Sequence, residues 1–141
     1  MKYNKEEVLA ECNRRCKNTL METLDIKFID IGDDYVVASM PVTPKVHQPD
    51  GVLHGGASVA LAESVGSYAA FLILKDPTVS IRGIEISANH VRGIREGMVY
   101  ARAEIMHKGR TTQLWQIKIT NEEDQLISLV KLTTITLEKS K

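Results

Sequence analysis

Apolar and polar residues alternate along most of this chain, and one stretch departs from the alternation. LDIKFIDI (Leu24 to Ile31) and YVVASMPV (Tyr35 to Val42) have the period of two that belongs to half-buried strands. Gly32-Asp33-Asp34 between them supplies turn residues, so the two read as an antiparallel hairpin. Four later runs read as strands: Ser80 to Val91, Met98 to His107, Thr112 to Thr120 and Gln125 to Leu137. Arg95-Glu96-Gly97, Lys108-Gly109 and Asn121-Glu122-Glu123-Asp124 separate them as turns. At the start of the chain, Asn4 followed by Glu7 has the form of a capping box and predicts a helix running to about Leu20. Pro44, Pro49 and Asp50-Gly51 predict an irregular loop from Thr43 to Leu53.

The departure is GGASVALAESVGSYAAFLIL, Gly55 to Leu74, where no polar face interrupts the apolar residues. A helix apolar on all sides is a buried helix, and Asp76-Pro77 stops this one near Lys75. Its length also fits a bilayer span. A charge at its centre, two glycines at its start and half-polar strands around it argue instead for the core of a sheet. The expected architecture is α+β: a largely antiparallel sheet curling around one long central helix. With no repeat, low-complexity tract or linker, residues 1–141 read as one domain. The small residues of the helix let its backbone approach the sheet closely.

Composition narrows the partners. The 141 residues carry eighteen basic and eighteen acidic side chains, a net charge of +0, which argues against nucleic acid as the main partner. The charged N-terminal segment lacks the apolar core of a secretory signal, so a cytoplasmic location without membrane association is expected. Cys12 and Cys16 lie one helical turn apart and read as free thiols packed against the core.

Glu63 is the only charge between Gly55 and Leu74. An unpaired carboxylate in apolar surroundings costs several kcal/mol or becomes neutral, which makes a functional carboxylate the first reading. The alternative is a Glu on the one wet side of a mostly buried helix. Upstream, His47-Gln48-Pro49-Asp50-Gly51-Val52-Leu53-His54-Gly55-Gly56 leads into the helix start, where free backbone N–H groups can hold an oxyanion. A carboxylate with such donors is a minimal kit for cleaving an ester or thioester. Gly55 and Glu63 are eight residues apart, ~12 Å along one helix, too far for a single carbonyl. Glu63 is therefore expected to work with Gly55 of a second subunit across a two-fold axis. Zinc at His47, His54 and Glu63 lacks the HExxH spacing, and no G-x-S-x-G elbow makes Ser58, Ser64 or Ser67 a nucleophile. Arg110, Thr111 and Thr112 after Gly109 read equally as a phosphate cradle or a plain polar hairpin.

HQPDGVLHGGASVALAESVGS (His47 to Ser67) closely resembles the signature of hotdog-fold acyl-CoA thioesterases of the 4-hydroxybenzoyl-CoA type with a helix-borne glutamate. IGDDYVVASMPV, ISANHVRGIREG and HKGRTTQLWQIKI extend the similarity over nearly the whole chain. The resemblance implies a hotdog fold and hydrolysis of an aryl- or related acyl-CoA, with no metal and no cofactor other than the CoA of the substrate. It implies Glu63 as nucleophile or general base, the Gly55 amide on the thioester carbonyl, Gln48 and His54 orienting the thioester, and Ser67 placing water. It implies CoA nucleotide contacts from Gly83, from His90, Val91, Arg92 and Gly93, and from His107, Lys108, Gly109, Arg110, Thr111 and Thr112. It also implies a homodimer at least, and commonly a homotetramer. Two rivals differ in chemistry. An acyl-CoA dehydratase or hydratase needs a His–Asp or His–Glu pair at the α and β carbons, and a non-catalytic acyl-CoA-binding module has no need of Glu63.

Overall fold

The computed structural model describes residues 3–139 of the chain. The first helix, α1 (Lys5–Arg15), begins as expected, with Asn4 Oδ1 accepting from the Glu7 N–H at 3.2 Å. Glu6 and Glu7 in its first turn and Arg14 and Arg15 in its last complement the helix dipole. It stops short of Leu20 because Asn18 takes a left-handed conformation (φ 60). Thr19 then caps a one-turn helix, α2 (Leu20–Thr23), by accepting from the Met21 N–H at 3.2 Å. That turn, and a second left-handed residue at Asp25, delay the first strand by three residues relative to the expected start at Leu24.

The strands are β1 (Lys27–Ile31), β2 (Tyr35–Val42), β3 (Val79–His90), β4 (Gly97–Lys108), β5 (Thr112–Thr120) and β6 (Leu126–Glu138). They form one antiparallel sheet in the order β1-β2-β4-β5-β6-β3. Alternation places Gln113, Trp115, Ile117 and Ile119 of β5 in the core and their neighbours outside it. The buried polar groups there satisfy one another: Trp115 Nε1 donates to Thr134 Oγ1 at 2.9 Å, and that hydroxyl donates to Gln113 Oε1 at 2.8 Å.

The apolar run forms α3 (Gly55–Leu74), entered through a 3-10 turn at Pro44–Val46 and a bridge between His47 and Leu53. Although long and apolar enough for a bilayer by length and composition, α3 packs against β2, β3, β4, β5 and β6. Ser58, Leu61, Ala62, Val65, Gly66, Ala69 and Ala70 make its buried face. Close approach depends on Gly66: a Cβ there would lie 2.6 Å from Leu132 Cδ2 and 3.4 Å from Ile117 Cδ1. The helix ends on Lys75 in the left-handed region (φ 53), just before Asp76-Pro77.

The two edges of the sheet differ. On the β1 edge, the Asn13 side chain from α1 bonds both backbone groups of Phe28, at 3.0 and 2.8 Å. The β3 edge is twelve residues long and, among the described residues, pairs only with β6. A bulge between Gly83 and Glu85 leaves Ile84 there 56% exposed. Cys12 on α1 and Cys16 at its C-cap are free and buried, and burial pushes the Cys12 thiol up to about 11.

Candidate active site

The loop before α3 is drawn tight by its own backbone: the Gln48 N–H donates to Val52 O (2.8 Å) and the Gly51 N–H to Gln48 O (2.9 Å). Gly51 meets the turn through its positive φ of 79, and Arg95 Nη1 clasps the carbonyls of Asp50 and Gly51 at 3.1 and 3.4 Å. Gln48 Oε1 accepts from the Asp50 N–H. Its acceptor is thereby engaged, which leaves the amide –NH₂ of Gln48 to donate elsewhere.

At the helix start the two glycines have different fates. His54 is the N-cap, and its Nδ1 accepts from the Gly56 N–H at 2.8 Å. The Gly55 N–H has no acceptor among the described residues. One unpaired, dipole-favoured donor therefore remains, beside a cleft of about 360 Å³ lined in part by Gln48, Gly55, Ser58, His90 and Arg92. His90 comes closest: its Nε2 would lie 2.8 Å from a Cβ on Gly55, so glycine is required for the imidazole to sit there. His90 Nδ1 in turn lies 2.6 Å from the Oγ of buried Ser128.

Glu63 lies outside this cleft. It is half-buried on α3 and makes no hydrogen bond or ion pair among the described residues. Its carboxylate faces Gly83 of β3, whose missing Cβ would stand 3.5 Å from Glu63 Cδ and Oε2. Ser67 follows one turn later, also half-buried, and Phe71 (45% exposed) one turn after that. Spaced by four, the three share the outward stripe of the helix. Phe71 and Leu72 close an apolar cavity of about 420 Å³ with Tyr3, Val8 and Ile31.

The residues expected to touch the CoA nucleotide are distributed over the two ends of β3. His90, Val91, Arg92 and Gly93 line the Gly55 cleft at its C-terminal end. Lys108, Gly109, Arg110 and Thr111 line a second cleft of about 330 Å³ with Val79 at its N-terminal end, and His107 and Thr112 flank them. A strand of twelve residues separates the groups by roughly 35 Å within one chain. Gly83 lies between them, against the carboxylate. His47 is tied to the Arg95 carbonyl (2.8 Å), and among the described residues no three His, Cys, Asp or Glu side chains gather as a metal site.

Two hydroxyls of interest escaped the sequence reading. Ser58, read as an ordinary helix polar residue, is buried at the cleft, and Ser128 holds His90 from inside β6. The available signal for Ser128 was a lone hydroxyl within the apolar run Leu126 to Val130.

Known proteins share this arrangement of elements. A family model described as the thioesterase superfamily matches residues 50–128. A 1,4-dihydroxy-2-naphthoyl-CoA hydrolase of Escherichia coli is 42% identical over 137 residues, covering 97% of this chain and all (100%) of the relative. A proofreading thioesterase of Cronobacter turicensis is 40% identical over 134 residues, covering 95% of this chain and 97% of that protein. The crystal structure of a mutant thioesterase from Pseudomonas aeruginosa superposes with a TM-score of 0.91 at 38% identity, covering 99% of this chain and 97% of the other. A long apolar helix wrapped by an antiparallel sheet, with this family match and these relatives, makes the chain a hotdog-fold member of the thioesterase superfamily and a thioester hydrolase.

Proposed function

We propose that the chain hydrolyses aryl- or related acyl-CoA thioesters at a site completed by two copies of the chain. The free Gly55 N–H in its cleft, with the unpartnered Glu63 eight residues along the same helix, carries this reading. In it the Gly55 amide and the Gln48 –NH₂ hold the carbonyl oxygen of the thioester as charge develops on it. Glu63 of the partner subunit attacks the carbon or takes a proton from water, with Ser67 placing that water. His54 fixes the helix start, so that Gly55 alone presents its N–H.

The exposed β3 edge gives the second copy a place to bind. A long strand open on its outer side, with an exposed Ile84, is a template for pairing, and antiparallel pairing about a two-fold axis closes it. Within one chain Gly83 faces Glu63 and His90 faces Gly55. Bringing Gly55 to Glu63 of the partner subunit therefore brings His90 beside Gly83 of the partner subunit. A two-fold perpendicular to the sheet sets each residue and its copy on the same face, so either Ile86 or Ser87 stands opposite its own copy. The same pairing carries the basic hairpin of one chain toward the Gly55 cleft of the other. This reunites the two halves of the nucleotide set for the CoA phosphates. Pairs of such dimers would give the homotetramer.

Similarity to the Escherichia coli hydrolase favours 1,4-dihydroxy-2-naphthoyl-CoA, and with it a step of menaquinone biosynthesis. The test is a kcat/KM panel over aryl, short-chain and long-chain acyl-CoAs that includes this substrate, with CoA release followed by a disulfide reagent. Aryl thioesters are expected to lead. Glu63→Gln is expected to lower kcat by at least about a hundredfold while CoA still binds. Near-normal turnover by the folded Glu63→Gln protein would refute the site.

A further inference from the structure

We propose that His90 is the acid that protonates the departing coenzyme A sulfur. The inference rests on the Gly55 amide as the carbonyl donor. A thioester whose oxygen takes that N–H carries its sulfur on the same carbon, within reach of a group packed against the glycine. His90 is that group. Its Nε2 and Cδ2 lie 2.8 and 2.9 Å from where a Gly55 Cβ would stand, and it lines the cleft shared by Gly55 and Gln48.

The other ring nitrogen is anchored. Nδ1 lies 2.6 Å from Ser128 Oγ, and Ser128 Oγ lies 3.2 Å from Asn89 O. Ser128 is fully buried, so its hydroxyl is held in place from inside the sheet, while the ring of His90 stays exposed. With both nitrogens protonated, Nδ1–H donates to the Ser128 hydroxyl, which donates to the Asn89 carbonyl. Each group in the chain then has a partner, and the Nε2 proton alone is left free. The geometry fixes the orientation of the ring and leaves Nε2 turned to the cleft, as a proton donor to sulfur requires. Arg92 also lines the cleft, and the N-terminus of α3 is packed against the ring. Nearby His54 is engaged with the Gly56 N–H.

In the step itself, attack on the carbonyl carbon places an electron pair on oxygen. That pair re-forms the carbonyl as the C–S bond breaks, and the C–S pair leaves on sulfur. The Nε2 proton passes to sulfur to give the free thiol. The neutral ring regains a proton through solvent, matching the one released when water adds to the acyl group. The balance is the same whether Glu63 attacks directly or activates water.

Varying the leaving group tests this. One acyl group is presented as its N-acetylcysteamine thioester and as its thiophenyl thioester. Both lack the nucleotide, and only the first has a leaving thiol basic enough to need a proton. In His90→Gln, and independently in His90→Ala, kcat/KM should fall at least about tenfold more for the N-acetylcysteamine ester than for the thiophenyl ester. Equal losses on both esters would overturn the proposal in favour of a role in carbonyl polarisation or structure. A loss seen only with the full CoA thioester would overturn it in favour of a nucleotide contact. Wild-type protein that releases no CoA from any acyl-CoA would sink the underlying site reading. Active wild-type protein with a flat leaving-group ratio in the variants would sink only the role of His90.

Discussion

The two faces of α3 meet opposite conditions. On the inner face Leu61, Ala62, Val65, Gly66, Ala69 and Ala70 are buried and packed to contact by the sheet of the same chain. On the outer stripe Glu63, Ser67 and Phe71 remain partly or largely exposed, and Glu63 has only the bare backbone of Gly83 before it. The inner face is complete in one chain and holds the fold together. The outer stripe holds the groups the fold does not need, and the carboxylate there has room left around it by a glycine on the neighbouring strand. Stability and chemistry are thereby divided between two sides of one helix, and a substitution should register on one side or the other.

The largest expected effect separates the faces by complementation. Glu63→Ala and Gly55→Pro chains should each be nearly inactive. The second removes the free N–H and, through its added Cβ, displaces His90 of the same chain, at a first-turn position where proline is compatible with the helix backbone. Mixed in equal amounts and allowed to exchange, they should recover about a quarter of wild-type kcat, since half the dimers then hold one intact site. No recovery on mixing, in proteins shown by sizing to have exchanged subunits, would mean that one chain supplies both groups.

The inner face should respond in stability. Gly66→Val places its Cβ 2.6 Å from Leu132 Cδ2 against fully buried neighbours. Overpacking of this kind costs roughly 1–3 kcal/mol, read as a lower denaturant midpoint. The kcat of the protein that remains folded should change little. A stable variant that had lost activity would erase the division between the faces.

The smallest effect lies at the seam where α1 meets α3. Burial pushes the Cys12 thiol up to about 11 and the Tyr68 phenol up to about 12. The folded state thus keeps protons that the unfolded chain releases, and stability is complete below about pH 9 and declines as pH rises toward about pH 11. Denaturant midpoints at about pH 8 and about pH 10.5 should show the fall, and Cys12→Ala should reduce it. A midpoint that does not move would show that the seam stays open to water.

Much of this was legible beforehand for a definite reason. The period of two in YVVASMPV, and the lack of any polar face from Gly55 to Leu74, reflect which sides of each element meet water; the strand was met to the residue, and the helix expected to end near Lys75 ends at Leu74. The helix expected to reach Leu20 was not, because a left-handed Asn18 is a single-residue event that periodicity does not register. Glu63 was conspicuous as a charge among apolar neighbours. Gly83, which gives that charge its space, was expected among the nucleotide contacts, since nothing in a strand sequence shows which helix residue it will face.

The chain by itself determined its elements, the character of its central helix, and two groups on that helix too far apart to serve one carbonyl. Those properties are local, being fixed by side-chain polarity at short spacing and by the rise of a helix. Tertiary structure decided the rest. It brought His90 onto Gly55 from a strand thirty-five positions later, anchored that ring on Ser128 in another strand, and divided the nucleotide residues between the ends of β3. Sheet order and register set these pairings, and they join positions whose separation along the chain carries no trace of their contact.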